Sequence, residues 1–495
     1  MNRKMKLLRA PLDKLFLLAT LAALAGGCNF APKYTQPAVE TPAAFKENSA
    51  TNLWQPAQPA DAVIRSNWWA MFNDAELNAL ENQVAISNQN IAAAVASLLE
   101  AKAVVRETQA QLWPTLTADP SVTRSRSSAS LNAQNSNTGT GNTGGSRNLT
   151  VTEYSLPLDA SWQPDLWGRI RNTVKANAAE AQATAADLEN TKLAAQGELA
   201  ADYFQLRGQD ALEKLFDDTV AAYRKSYDLE KVLFKTGIAS DQDVSQAETV
   251  LETAEAQETN LQILRAQLEH AIAMLMGRPP AAVSIPNLVL DANPPAIPSG
   301  VPSQLLQRRP DVAAAERRVA EANAQIGVAR AAYFPNLTLS ASGGFESTVA
   351  DTLLDWPSRF WSIGAGASET IFDAGARGAT VTQYRAAYDN AVAQYRQTVL
   401  TAFQQVEDNL SSLRVYNQEI QQQEIAVKSA TRYLNLAQDR YRLGIDSYLN
   451  VITAQTTLLA NRQTLTTLYT EQMTAAVQLI EALGGGWEAA QLSAH

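Results

Sequence analysis

Gly237-Ile238-Ala239-Ser240-Asp241-Gln242-Asp243-Val244 returns later in the chain as Gly444-Ile445-Asp446-Ser447-Tyr448-Leu449-Asn450-Val451. Outward from that octet the same offset holds without a gap, from Gly168 with Gly375 through Ala247 with Ala454 and Leu251 with Leu458 to Gly277 with Gly484. Upstream a second register pairs Ile91 with Val312, Ala101 with Ala322, Trp113 with Phe334, Pro114 with Pro335 and Leu116 with Leu337. The two registers differ by about 14 residues, which places one insertion in the first copy between Leu116 and Gly168. That interval holds the polar tract from Ser125 to Asn148, where added length costs little because it lies at a loop tip. The chain is a duplication, and each copy reads as a helix ended by proline, two alternating strands and an Ala-rich helical hairpin. A repeat this long makes each copy half of one structure.

The helical hairpins flank the octet. Arg169 to Lys235 and Ala376 to Leu443 contain no proline and are dominated by Ala, Gln, Glu, Leu and Arg, so each is a helix of about 100 Å if continuous. Gly237 and Gly444 end these runs, because glycine accepts left-handed backbone angles, and a shorter helix returns to Gly277 or Gly484. Gly197 and Gly208 predict a bend or break in the first long helix. Abundant small residues suit a curved helical wall, although a solid four-helix bundle fits the same pattern.

The strands alternate with period two. Asn336 to Glu346 sets Leu337, Leu339, Ala341, Gly343 and Phe345 against Thr338, Ser340, Ser342 and Gly344, and its partner runs from Arg359 to Phe372. The first copy offers Leu116 to Arg126 and Leu149 to Trp162. Small polar residues opposite apolar ones fit a strand between lipid and water, and equally a half-buried strand of a soluble sandwich. Four strands are too few to close, since about eight make a small barrel. Lipid cannot satisfy an open sheet edge, so strands in a membrane would have to be shared among two, three or four copies.

A net charge of -10 and a pI near 5.0 argue against nucleic-acid binding. Residues 1–27 read as a signal peptide, with Arg3, Lys4, Lys6 and Arg9 before the apolar stretch Leu15 to Ala25. Cys28, the only cysteine, follows Leu24-Ala25-Gly26-Gly27 and resembles the lipidated residue of a bacterial lipobox. Residues 28–66 are a Pro-rich tether. The first repeat spans 67–278 with its hairpin at 115–167, a Pro-rich linker 279–302 follows, the second repeat spans 303–486 with its hairpin at 336–374, and 487–495 form a tail.

Several ordered landmarks resemble those of the outer-membrane efflux factors, the TolC-like family, in its NodT- and OprM-type lipoprotein branch. They are Cys28, Pro32, Tyr34 and Pro37; Trp68, Trp69, Phe72 and Asp74; Arg308-Arg309-Pro310-Asp311-Val312; Tyr333-Phe334-Pro335-Asn336-Leu337; and Ile371-Phe372-Asp373. The resemblance implies a mainly α fold with a β-barrel portion: a long α-helical barrel in the periplasm, and four transmembrane strands per chain completing a twelve-stranded barrel in a homotrimer. It implies a passive outer-membrane conduit for small molecules, lipid-anchored through Cys28, that needs no cofactor and works with a periplasmic adaptor and an inner-membrane pump of the RND type. Asn29 after the cysteine, in place of the aspartate that favours inner-membrane retention, agrees with the outer membrane.

In relatives, charges near the helix turns close the periplasmic end. The carboxylate positions that gate some of them fall here at Asn450 and Thr453, leaving Asp241 and Asp243 on the first turn and Asp446 on the second, with Arg442 as a cation to pair with a neighbouring carboxylate. Enzyme chemistry is disfavoured: the histidines are His270, in a helical stretch, and the terminal His495, and Gly484-Gly485-Gly486 follows a helix instead of opening one. The rival reading is a lipid-tethered periplasmic coiled-coil scaffold without a pore.

Overall fold

A computed structural model describes residues 29–47, 67–126, 150–289, 294–295, 297 and 308–486. The signal peptide, Cys28, most of the tether's second half, the first hairpin's tip and the tail lie outside these residues. The elements run α1 (Ala75–Ser87), α2 (Gln89–Ala110), β1 (Thr115–Ala118), β2 (Ser121–Arg126), β3 (Thr150–Trp162), α3 (Arg169–Lys235), α4 (Asp241–Leu275), α5 (Pro310–Ala331), β4 (Asn336–Ser347), β5 (Arg359–Ser368), α6 (Ala376–Arg442) and α7 (Tyr448–Ala482). The chain divides into two compact units, each drawing on both copies.

The first unit contains the sheet and the helix ends that join it. All pairings are antiparallel, in the order β1 and β2, then β3, β4 and β5. β1 and β2 lie against the same strand in one continuous register, separated at Asp119-Pro120, where the proline has no N–H to give the ladder. They form one interrupted strand, so the sheet has four strand positions. β5 stops at Ser368, short of the expected Phe372. Arg377 Nη2 takes the Thr370 carbonyl at 2.7 Å, Asp373 accepts the N–H groups of Gly375 and Arg377, and the chain turns into α6.

Residues directly opposite in an antiparallel ladder share a face. One face therefore carries Leu116, Val122, Leu156, Leu158, Trp162, Leu339, Phe345, Trp361 and Ile363, while the other carries Thr117, Ser155, Asp159, Ser340, Ser342, Ser362 and Gly364. Trp361 and Ile363 are each 79% exposed, so nothing among the described residues covers the apolar face there. In the same unit the N-terminal segment lies on the helices: Phe30 stacks on Phe334 at 4.3 Å, and Arg330 and Asn323 donate to the carbonyls of Phe30 and Pro32.

The second unit is helical. The long helices are unbroken over 67 residues each, because Ala and straight-chain side chains lose little freedom in a helix. The break expected at Gly197 and Gly208 does not occur. Both glycines face α7, where an added Cβ would lie 2.9 Å from the Glu481 carboxylate and 2.3 Å from the Thr470 hydroxyl; they serve close packing. The core gathers Trp68, Trp69 and Phe72 with Tyr203, Phe204, Leu199, Ile272 and Leu479. Beside it Arg207, fully buried, donates to Asp210 at 2.8 Å, Glu76 at 2.5 Å and the Pro286 carbonyl at 2.7 Å, while Arg265 binds Asp210 and the Ile285 carbonyl. This network holds the start of the linker against the helices.

The duplication is visible in one joint. A Cβ at Gly277 would meet the Ser87 carbonyl at 2.1 Å, and one at Gly484 would meet the Arg308 carbonyl at 2.1 Å. Asn88 donates to the Leu275 carbonyl at 2.8 Å; the matched Arg309 donates to the Ala482 carbonyl at 3.0 Å. Each side chain satisfies a carbonyl that a helix C-terminus leaves without an intrahelical partner.

Candidate functional site

Residues 237–244 and 444–451 form two equivalent turns. In the first, Gly237 N–H donates to Phe234 and Ile238 N–H to Leu233; in the second, Gly444 donates to Tyr441 and Ile445 to Arg440. This paired pattern closes a helix C-terminus when the glycine is left-handed, as both are, at φ +80° and +71°. Serine occupies the N-cap position of each returning helix. Ser240 and Asp243 form a reciprocal capping box, with Asp243 accepting the Ser240 N–H at 3.0 Å, whereas Ser447 makes no side-chain cap, and Asn450 stands where the aspartate would be.

Between the turns lies a cavity of about 550 Å³, lined in part by Glu230, Leu233, Asp243, Tyr441, Asp446 and Tyr448. At its heart Glu230 is buried, and the Tyr441 hydroxyl donates to its carboxylate at 2.7 Å. Burial lifts the Glu230 pKa, the tyrosine hydrogen bond opposes the rise, and the charge of Asp243 adds to it. Tyr441 packs on Tyr448 at 5.2 Å, and below them Ala247, Ala437, Val451 and Ala454 bring the two hairpins together.

Of the charges expected at a gate, Asp243 is engaged in the capping box and Asp241 sits in the first turn of α4 without a hydrogen bond or ion pair among the described residues. Asp446 is paired, but with Arg440 at 2.5 Å, and that hydrogen bond holds its carboxyl below the ordinary range. Arg442 lies 3.5 Å from Asp439 on its own helix, both well exposed. Sequence reasoning passed over Glu230, Tyr441 and Arg440. Glu230 was detectable: with Tyr223 and Tyr227 it continues one face at helical spacing, so a carboxylate there lies in the helix contact.

No described helix is long and apolar enough to cross a membrane. A model of the outer membrane efflux protein family matches residues 80–278 and 301–485, one segment for each copy. The probable efflux pump outer membrane protein TtgC of Pseudomonas putida is 34% identical over 477 residues, 96% of each chain. The cation efflux system protein CusC of Escherichia coli is 29% identical over 478 residues, 95% of this chain and 99% of that one. The solved structure of the outer-membrane channel OprN superposes with a TM-score of 0.83 at 28% identity, over 93% of this chain and all of that one. With both copies matched and a relative 34% identical over nearly its whole length, the chain belongs to the outer membrane efflux protein family.

Proposed function

We propose that three copies pool their sheets into one twelve-stranded barrel and act as the passive outer-membrane conduit of a pump-and-adaptor assembly. One observation carries this reading: a four-position sheet with two edges unpaired among the described residues, β1 with β2 and β5, and an apolar face whose Trp361 and Ile363 stand exposed. In lipid such edges have to be paired, and pairing them with like copies closes a ring. The polar face would then line water. Cys28 would carry the lipid anchor. Energy would come from the inner-membrane partner, reached through a periplasmic adaptor, with no cofactor in this chain.

The helix turns would form the entrance, with Tyr441 on Glu230 tying the two hairpins together and Arg440 on Asp446 bracing the second turn. Asp241 and Asp446 are better gate probes than Asp243, whose loss would also remove a helix cap. Organic cargo is favoured over soft metals. Of six methionines, Met1 and Met5 lie in the leader and Met276 and Met473 are buried, which leaves no thioether path.

The test is the purified full-length protein in planar bilayers and on gels. Heat-modifiable trimers from outer-membrane fractions that conduct ions support the conduit, and Asp241→Asn or Asp446→Asn should alter conductance or cation block. A monomeric, non-conducting protein would instead make it the tethered scaffold.

A further inference from the structure

The six charged side chains on the strands are sorted without exception. Glu153, Asp159 and Glu346 fall on the polar face; Arg124, Arg126 and Arg359 fall on the apolar face. The ladder fixes this: Arg124 opposes Thr152 and Arg126 opposes Thr150, above Tyr154 and Leu156, while Arg359 opposes Phe345 on the row of Trp361 and Ile363. All three arginines are exposed, and all lie at the hairpin-tip ends of their strands, away from the ends that join the helices.

None of the three guanidinium groups makes an ion pair among the described residues. Arg359 lies over the Trp356 ring and donates Nε–H to the Trp356 carbonyl at 3.2 Å, but Asp351 and Asp355 in the adjoining loop do not bind it. Near Arg124 and Arg126 no carboxylate is available on the same segment, since the sequence has no Asp or Glu between Asp119 and Glu153. Unpaired arginine on a lipid-facing surface is costly at the bilayer centre and tolerable at the interface, where water and headgroup anions can solvate it. A planar guanidinium matches phosphate oxygens two at a time.

We infer that Arg124, Arg126 and Arg359 form a binding surface for the phosphate groups of phosphorylated outer-leaflet glycolipid. The inference rests on the proposed barrel. Closing the two sheet edges on like copies puts Arg359 of one copy on the same seam as Arg124 and Arg126 of the next. The lipid is favoured over a free anion because Tyr154, Phe345 and Trp361 place acyl-binding surface directly below the charges, so one molecule satisfies both.

The test uses the full-length lipidated protein reconstituted in phosphatidylcholine vesicles with a trace of bis-phosphorylated lipid A, or of the same lipid A with its phosphates removed. The wild type should retain the phosphorylated form roughly tenfold better, and millimolar inorganic phosphate should not displace it. Replacing all three (Arg124→Gln, Arg126→Gln, Arg359→Gln) should reduce retention to that of the dephosphorylated lipid while the channels still conduct. Equal retention of the two lipids by the wild type, a comparison that needs no variant, overturns the inference; so does displacement by inorganic phosphate, which would mean a free-anion site. Wild-type protein that neither inserts nor conducts overturns the barrel itself, whereas insertion with phosphate-blind retention removes only the lipid site.

Discussion

Glu81 on α1 is fully buried, and neither carboxylate oxygen has a hydrogen-bond partner among the described residues. Burial alone pushes its pKa from 4.5 up to about 9. The folded protein therefore keeps this proton at neutral pH, while the unfolded chain releases it above its ordinary pKa. A raised folded pKa gives a contribution that is complete below about 4.5 and lost as pH climbs toward 9. Glu81→Gln should melt with the wild type near pH 4.5 and above it at pH 9; parallel melting temperatures by calorimetry across that range would contradict the assignment. At this scale the sequence was a partial guide. It displayed Asp241, Asp243, Asp446 and Arg442 as charges beside two glycine turns, but not the direction in which each points. Arg440 reaches Asp446 only because the left-handed glycine swings the chain back past the end of α6, and Arg442, two residues on, projects elsewhere.

The long helices and three of the four strand positions were legible to within a residue or so, because their signals are local, while β5 ends four residues short of its expected end. A proline-free, Ala-rich run and a two-residue alternation need no tertiary context. What context changed was the meaning of individual residues within them. Gly208, which on propensity alone weakens a helix, lets α7 approach, and Pro120 interrupts a strand without shifting its register. Gly208→Val would force a branched side chain onto Thr470 across a contact with no room for it. That overpacking should cost about 1–3 kcal/mol, read as a lower denaturation midpoint of the purified protein with its helical circular dichroism retained. A midpoint equal to that of the wild type would mean that α3 and α7 are not in this contact in solution.

For the whole molecule, the sorting of charge between the two faces of the sheet sets its electrical character. Three closed copies would surround water with Glu153, Asp159 and Glu346 from each chain and no strand-borne base. Reversal potentials in a potassium chloride gradient should then favour potassium, and Glu153→Gln with Glu346→Gln should weaken the preference; anion preference in the wild type would show that the polar face does not line the path. Copy number was legible only as arithmetic, since four strand positions forbid a lone barrel without choosing among larger rings. The joint that closes each copy could not be read in advance, as it links residues of different registers. Yet it decides where the chain can change length: at Ser87 with Gly277 and Arg308 with Gly484 backbone meets backbone, so the extra stretch of the first copy had to be housed between its strands. An epitope tag spliced into residues 127–149 should accordingly be labelled by antibody on living cells that still resist toxic compounds, whereas the same tag between Ser87 and Asn88 should leave no protein at the cell surface. Ancestral doubling thus left one site open to variation and sealed another.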